Sequence, residues 1–415
     1  MKSYVNINPF SKMAIRVDKE NYKEKFIGRE REIFRILDNL FQSQKGNISH
    51  MFIYGEEGVG KTSLFNYIKF IVSESKDIYG FNAEEYFGGR LYYTIAETNV
   101  FERKTLDESI NPLLINLEEN FKRQRIKLSN IKFSLEWPLP YFIKGKFETT
   151  ISNDKINIPL DVLEQLSSTL EKSSEVALES GISGILLVID NIDFLVKDFN
   201  IGQFFKVLSE RLINRNSNVV ITFIGSEHAL EKMIEQEPSV SGILDKIKVN
   251  NFNISEITRC LNISKDNGVI FDEESINLIY EYTNGNPALV QQIAHETFRR
   301  YGGEINIEQI TEIIEDKIQD QVYYLKSKLK HLDFRHKALL NRIVNMSGRC
   351  NKDELEEYFQ ENILENGFFN HIEFQSCIKY LERYGFSKYK DGTLMITNKL
   401  ILETLKREDM KYEYS

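Results

Sequence analysis

Three short stretches of the chain, His50–Tyr54, Gly184–Ile189 and Asn218–Ile224, are apolar at almost every position rather than at every second one. A strand without alternation is buried on both faces, as in a parallel sheet covered by helices on each side. Around these runs the spacing changes to a helical period: Ile33, Leu37, Leu40 and Phe41 share a face, and 160–177 predicts a helix leading into the second run. From about Asn251 the pattern is helical, with Ser255 and Asp272 as expected caps and Asn286 ahead of Pro287 at a third helix start. Ile305, Ile310, Ile313, Ile314, Ile318 and Val322 predict a long connecting helix over 305–330. The last segment predicts helices over 337–346, 352–360 and 371–384, then two strands, 386–389 and 394–397, joined through Asp391-Gly392, a strong hairpin signal. True alternation occurs at Ile131–Trp137 and resumes after Pro138 and Pro140 from Tyr141 to Thr150, which predicts a β-hairpin inside an insertion over about 100–178. Trp137 and Tyr141 either pack that hairpin onto its own core or form an interaction surface.

Length and composition narrow the class. With 415 residues, 41% of them hydrophobic, the chain suffices for two or three domains with ordinary cores. No apolar run approaches the roughly 18–20 residues that span a bilayer, and no signal-peptide core opens the sequence, so no membrane association and a cytoplasmic location are expected. Cys260, Cys350 and Cys377 are widely separated, which suggests buried thiols in a reducing compartment and matches no zinc or redox spacing. The net charge of -9 opposes a general DNA-coating role, since nonspecific affinity comes from Lys and Arg neutralising phosphates. The clearest basic run, Lys122–Lys127, fits a solvated helix face better than a nucleic-acid contact.

Between the first apolar run and a helix opening at Ser63 stands Gly55-Glu56-Glu57-Gly58-Val59-Gly60-Lys61-Thr62, which fits GxxxxGK[ST] at every fixed position. Glycines placed where a strand turns into a helix let backbone N–H groups and the helix N-terminus surround a phosphate. Lys61 is expected to reach the β- and γ-phosphates of ATP, and the Thr62 hydroxyl to take one position on Mg2+. The second apolar run closes on Asp190, at the carboxyl end of a buried strand, where open α/β sheets bind ligands. Asp190 is therefore the expected partner of Mg2+ and its water, with helix capping as the structural alternative. Asn191 follows directly, and an amide cannot take a proton from attacking water; general-base help is then lost or displaced onto a group such as Asp193. Ser226 ends the third run, where it either senses the γ-phosphate or simply caps the next helix.

The order of these motifs resembles STAND and Orc/Cdc6-like AAA+ ATPases over nearly the whole chain. Phe26-Ile27-Gly28-Arg29-Glu30 before an amphipathic helix resembles their nucleotide-edge motif, and Asn284-Gly285-Asn286-Pro287 resembles the GxP motif of the STAND lid. The resemblance implies an α/β fold with a P-loop parallel sheet, a helical lid and a C-terminal winged helix. It implies that Phe26, Ile27, Gly28, Arg29 and Pro287 lie near the nucleotide. The corresponding divisions are an arm over 1–25, a nucleotide-binding domain over 26–250, a lid over 251–302, a connecting helix over 303–330 and a winged helix over 331–415. Departures are equally informative. Relatives usually carry Glu where Asn191 stands, a basic residue near 238–244, and an arginine near Ala288 or Leu289; this chain has none of these. Without those cations, charge developing on the γ-phosphate is poorly offset unless a partner supplies an arginine.

The final segment has 13 Lys and Arg against 14 Asp and Glu, so a basic footprint for DNA is missing there. The expectation is a slow ATPase that uses ATP as a switch for assembly with a protein partner or with itself. DNA binding of an initiation or transposition type is the alternative, and a regulatory ATPase subunit of a defence or signalling system is a third reading.

Overall fold

The computed structural model describes residues 8–11, 26–74, 90–101, 107–126, 131–133, 160–362, 371–407 and 410–411. The hairpin expected between Ile131 and Thr150 lies, apart from 131–133, outside the described residues, as does Lys127 of the basic run. The chain forms two compact units: residues 14–56 with 60–250, and residues 1–13, 57–59 and 251–415.

The first unit is built on a parallel sheet of five strands, β1 (His50–Tyr54), β2 (Tyr93–Asn99), β3 (Gly184–Asp190), β4 (Val219–Gly225) and β5 (Leu244–Lys248), in the order β2-β3-β4-β1-β5. Its three central strands, β3, β4 and β1, are the three uninterrupted apolar runs, and their residues are buried on both faces. One face, with Phe52, Ile185, Leu187, Ile189, Ile221 and Phe223, packs against helices Asp107–Arg123, Leu160–Glu179, Ile201–Asn214 and Glu227–Gln236. Helices Glu30–Gln44 and Lys61–Glu74 pack on each other and on the outer strands β5 and β2. Both outer strands are absent from the sequence expectation because they carry charge. β5 reads Leu-Asp-Lys-Ile-Lys, and its Asp245 accepts hydrogen bonds from Arg35 and Asn39, so a polar residue is held by the neighbouring helix instead of facing water. In a parallel sheet every strand ends on the same edge, and the register sets Asn99 beside Asp190 and Tyr54 beside Gly225.

The second unit opens with helices Ile254–Asn262, Glu273–Thr283 and Pro287–Arg300, and two short parallel strands, β6 (Val269–Phe271) and β7 (Gly303–Ile305). Asp272 and Asn286 cap their helices as expected. The first helix is capped by Asn253 rather than Ser255: the Asn253 side chain accepts from the Glu256 N–H while Glu256 reaches back to the Asn253 N–H, a reciprocal box that Ser255 is placed too late to form. Helix Ile307–Leu329 follows, then Phe334–Asn345, β8 (Arg349–Asn351), Lys352–Asn362, His371–Arg383, β9 (Ser387–Lys390) and β10 (Thr393–Ile396). The antiparallel order is β8-β10-β9, and the Asp391-Gly392 turn has positive φ at both residues (49° and 78°), as a two-residue hairpin turn requires. The short strand β8 is absent from the sequence expectation because three residues carry no period. The segment at residues 8–11 belongs to this unit: Phe10 is buried edge-on against Phe271 and Phe298, Asn8 donates to the His295 carbonyl, and the Gln291 side chain accepts from the Ser11 N–H. Among the described residues no helix is long and apolar enough to cross a membrane.

At the start of β1, His50 is fully buried, edge-on to Phe205. Its Nδ1 accepts the Ile221 N–H at 3.1 Å, which leaves Nε2–H to donate to the Ser209 hydroxyl at 2.9 Å. Burial lowers the imidazole pKa to about 4, from an ordinary value of 6.5. The unfolded chain therefore binds more protons between these values, so stability present above pH 6.5 is lost as pH falls towards 4. The loss attributable to this ring is up to about 3 kcal/mol. Urea unfolding of wild type and His50→Gln at pH 7 and pH 4.5 checks it: the wild-type decrease should exceed the variant's by most of that amount.

Candidate functional site

β1 hands over to helix Lys61–Glu74 through Gly55–Gly60, at the edge where the strands end. Lys61 folds back across this turn, its Nζ donating to the Gly55 and Glu56 carbonyls at 2.8 Å each. One residue on, the Thr62 hydroxyl donates to Asp190 Oδ2 at 3.2 Å, so the two residues expected to share a cation stand side by side. Burial raises the Asp190 pKa, opposed by the Asn191 N–H, the Thr62 hydrogen bond and the Lys61 charge. A hydroxyl and a carboxylate meeting beside the loop form an all-oxygen donor set, which suits a hard cation such as Mg2+.

Asn191 sits in the left-handed region (φ 59°), donates its N–H to Asp190 Oδ1 at 2.9 Å, and donates its side-chain amide to Asn99 Oδ1 at 2.7 Å. Asn99, at the end of β2, is a residue that sequence reasoning missed. Only the strand pairing brings it beside Asp190 across the intervening insertion, and no local spacing signals it. Glu97 stands one alternation earlier, bonded to Lys69 at 2.6 Å.

Asp193 and Ser226 meet each other. The Ser226 N–H donates to Asp193 Oδ2 at 3.0 Å, its hydroxyl donates to Asp193 Oδ1, and the same hydroxyl oxygen accepts the Ala229 N–H at 3.1 Å. Both carboxylate oxygens of Asp193 are thus engaged, and Ser226 caps helix Glu227–Gln236.

In the stretch expected to form the nucleotide edge, Gly28 and Arg29 both take φ 72°, and the Arg29 carbonyl accepts the Ile33 N–H to open helix Glu30–Gln44. Phe26 stacks flat on Tyr67 of the helix after the loop, with centroids 4.5 Å apart. Ile27 is half-buried beside it and Arg29 is buried, 3.8 Å from Glu32.

Within the second unit the loop tip Glu57–Val59 meets the Asn284–Pro287 turn. Asn284 and Gly285 both have positive φ, and a Cβ on Gly285 would lie 2.0 Å from the Phe252 carbonyl, so glycine is required there. Asn286 then caps the helix that Pro287 begins, while its Nδ2 donates to the Glu57 carbonyl at 2.8 Å; the Ala288 N–H donates to the Gly58 carbonyl at 3.1 Å. Gly58 has φ 82°, and a Cβ there would approach Asn286 Oδ1 to 2.7 Å. Pro287 is buried at the start of its helix, and its neighbours Asn286 and Ala288 grip the loop backbone.

Ser226→Ala removes a helix cap and the hydroxyl's hydrogen bond to Asp193, leaving the backbone N–H donor in place, and is expected to cost about 1–2 kcal/mol of stability in urea unfolding. Weakened binding of a nonhydrolysable ATP analogue at unchanged stability would instead assign Ser226 to the γ-phosphate.

Searching curated protein sequences finds no match. Among solved structures, the chain is similar to a Walker-type ATPase from Pyrococcus abyssi, at 14% identity and a TM-score of 0.61, with 95% of this chain and 99% of that one covered. It is also similar to an ORC2 protein from Aeropyrum pernix, solved as ADPNP and ADP complexes, at 14% identity and a TM-score of 0.55, covering 92% of this chain and 94% of that one. At such identity these likenesses concern the fold, which is that of a P-loop ATPase with a five-stranded parallel sheet. The profile of the family described as an ATPase domain predominantly from Archaea matches residues 26–293, which contain the loop, Asp190, Ser226 and Pro287, and the chain belongs to that family.

Proposed function

We propose that this protein binds ATP with Mg2+ at Gly55–Ser63 and uses it mainly as a switch that governs assembly with a protein partner or a second copy, hydrolysing it slowly. The observation that carries the reading is the composition around Asp190: Thr62 stands 3.2 Å away in position to share a cation, while the next residue is an amide held by Asn99. Binding chemistry is supplied, and the residue that follows Asp190 is not a proton acceptor for water. In this reading the loop backbone and the N-terminus of helix Lys61–Glu74 hold phosphate oxygens, and Lys61 exchanges its contacts with the Gly55 and Glu56 carbonyls for the β- and γ-phosphates. Thr62 and Asp190 hold Mg2+, which when bound neutralises charge on those phosphates. Asn191 orients water through hydrogen bonds without deprotonating it. Asp193, with both oxygens on Ser226, is committed to holding the end of β4. Phe26, Ile27, Gly28, Arg29 and Pro287 are proposed to border the base and sugar.

A second reading, a DNA-binding ATPase, draws support from one observation. The order helix, strand, helix, helix, strand, strand among the described residues, with a tight β9–β10 hairpin, supports reading the C-terminal segment as a winged helix. Its charge balance weighs against DNA.

Light scattering after size-exclusion chromatography, with ADP or a nonhydrolysable ATP analogue and with or without duplex DNA, separates the two. The switch reading expects triphosphate-dependent assembly indifferent to DNA; assembly that needs DNA and is lost in Lys122→Glu/Arg125→Glu would replace it. Lys61→Ala should abolish nucleotide binding. Asn191→Glu should raise turnover about tenfold or more if a general base is what the site lacks. A brisk wild-type rate that this substitution leaves unaltered would sink the slow-hydrolysis proposal.

A further inference from the structure

The phosphate-loop pattern leaves the middle positions open, so a carboxylate at Glu57 is unneeded for holding phosphate and, as a negative charge beside phosphate oxygens, works against it. In the second unit two donors converge on that carboxylate. Glu57 Oε2 accepts the Tyr324 hydroxyl at 3.2 Å and Lys328 Nζ at 3.3 Å, both from the last turns of helix Ile307–Leu329. The same ammonium donates to the Tyr384 carbonyl at 3.0 Å, where helix His371–Arg383 gives way to β9, and it lies over the Tyr324 ring, 4.5 Å from its centroid. An ammonium has three donors on one atom, so a single lysine can serve the loop and the C-terminal backbone together. Asn286 and Ala288 fix the adjoining loop carbonyls, which keeps Glu57 within reach.

We infer that Lys328 is a positioning residue for the phosphate loop. Its ammonium offsets the charge that Glu57 places near bound phosphate and ties the loop tip to the backbone at Tyr384, so that nucleotide occupancy and the C-terminal helix and strand are linked. The inference rests on the nucleotide reading of the loop. Because linkage is reciprocal, loosening the Tyr384 end must weaken nucleotide binding as surely as removing nucleotide loosens Tyr384.

The test uses the full chain in five forms: wild type, Lys328→Ala, Lys328→Arg, Glu57→Gln and the Glu57→Gln/Lys328→Ala double variant. Each is titrated with Mg2+ and either ADP or a nonhydrolysable ATP analogue by calorimetry, and amide hydrogen exchange is followed with and without nucleotide. Lys328→Ala should weaken binding about two- to five-fold, the range of an exposed ion pair, with a larger effect for the triphosphate. In the Glu57→Gln background the same change should have less than half that effect on the logarithm of Kd, and Lys328→Arg should recover most of it. Exchange at 56–59 and at 384–390 should rise together in Lys328→Ala even without nucleotide. Equal weakening in both backgrounds, or a rise confined to one segment, would overturn the inference. If wild type binds no nucleotide, the loop reading itself fails, and the exchange arm alone decides whether Lys328 joins the two segments.

Discussion

The first unit depends on one constraint: a parallel strand buried on both faces must give way to a helix whose first N–H groups have no partner inside that helix. An unpaired N–H inside protein is costly, so a chain that leaves several of them together needs an anion or water to meet them. Gly55–Gly60 accommodates this between β1 and helix Lys61–Glu74. Because every strand is parallel, the same edge receives the ends of β2, β3 and β4, and with them Asn99, Asp190 and Gly225. The loop thus acquires its neighbours from topology, not from sequence proximity.

What was legible in the sequence follows from where the physics is local. The central strands were visible because burial on both faces leaves no polar position to hide the run, and Asn286-Pro287 was visible because capping and a fixed proline φ act within a few residues. β2 and β5 were not visible, since edge strands carry Glu97, Asp245 and Lys248 whose partners lie on other elements. Ser226 shows a finer limit: both of its readings were open, and the partner that distinguishes the arrangement, Asp193, joins it only through folding. Asn99 was unreadable for the same reason, because its neighbour is set by register.

Two polar devices surround the loop with different consequences. At the strand ends, polar side chains take up one another's hydrogen bonds, Asn191 with Asn99 and Ser226 with Asp193, which fixes their geometry. At the loop tip Asn286 and Ala288 donate to backbone carbonyls, of Glu57 and Gly58, beside the Tyr324 and Lys328 contacts to the Glu57 carboxylate.

Phe10 has a consequence for how the chain can be made. It completes an aromatic cluster with Phe271 and Phe298, while the Gln291 side chain that receives the Ser11 N–H lies 280 residues further along. The second unit therefore cannot close its core from a contiguous stretch of polypeptide. During synthesis the arm must wait, with its phenylalanine unpartnered, until helix Pro287–Arg300 has emerged, and a fragment beginning near Asn251 would lack part of its own interior.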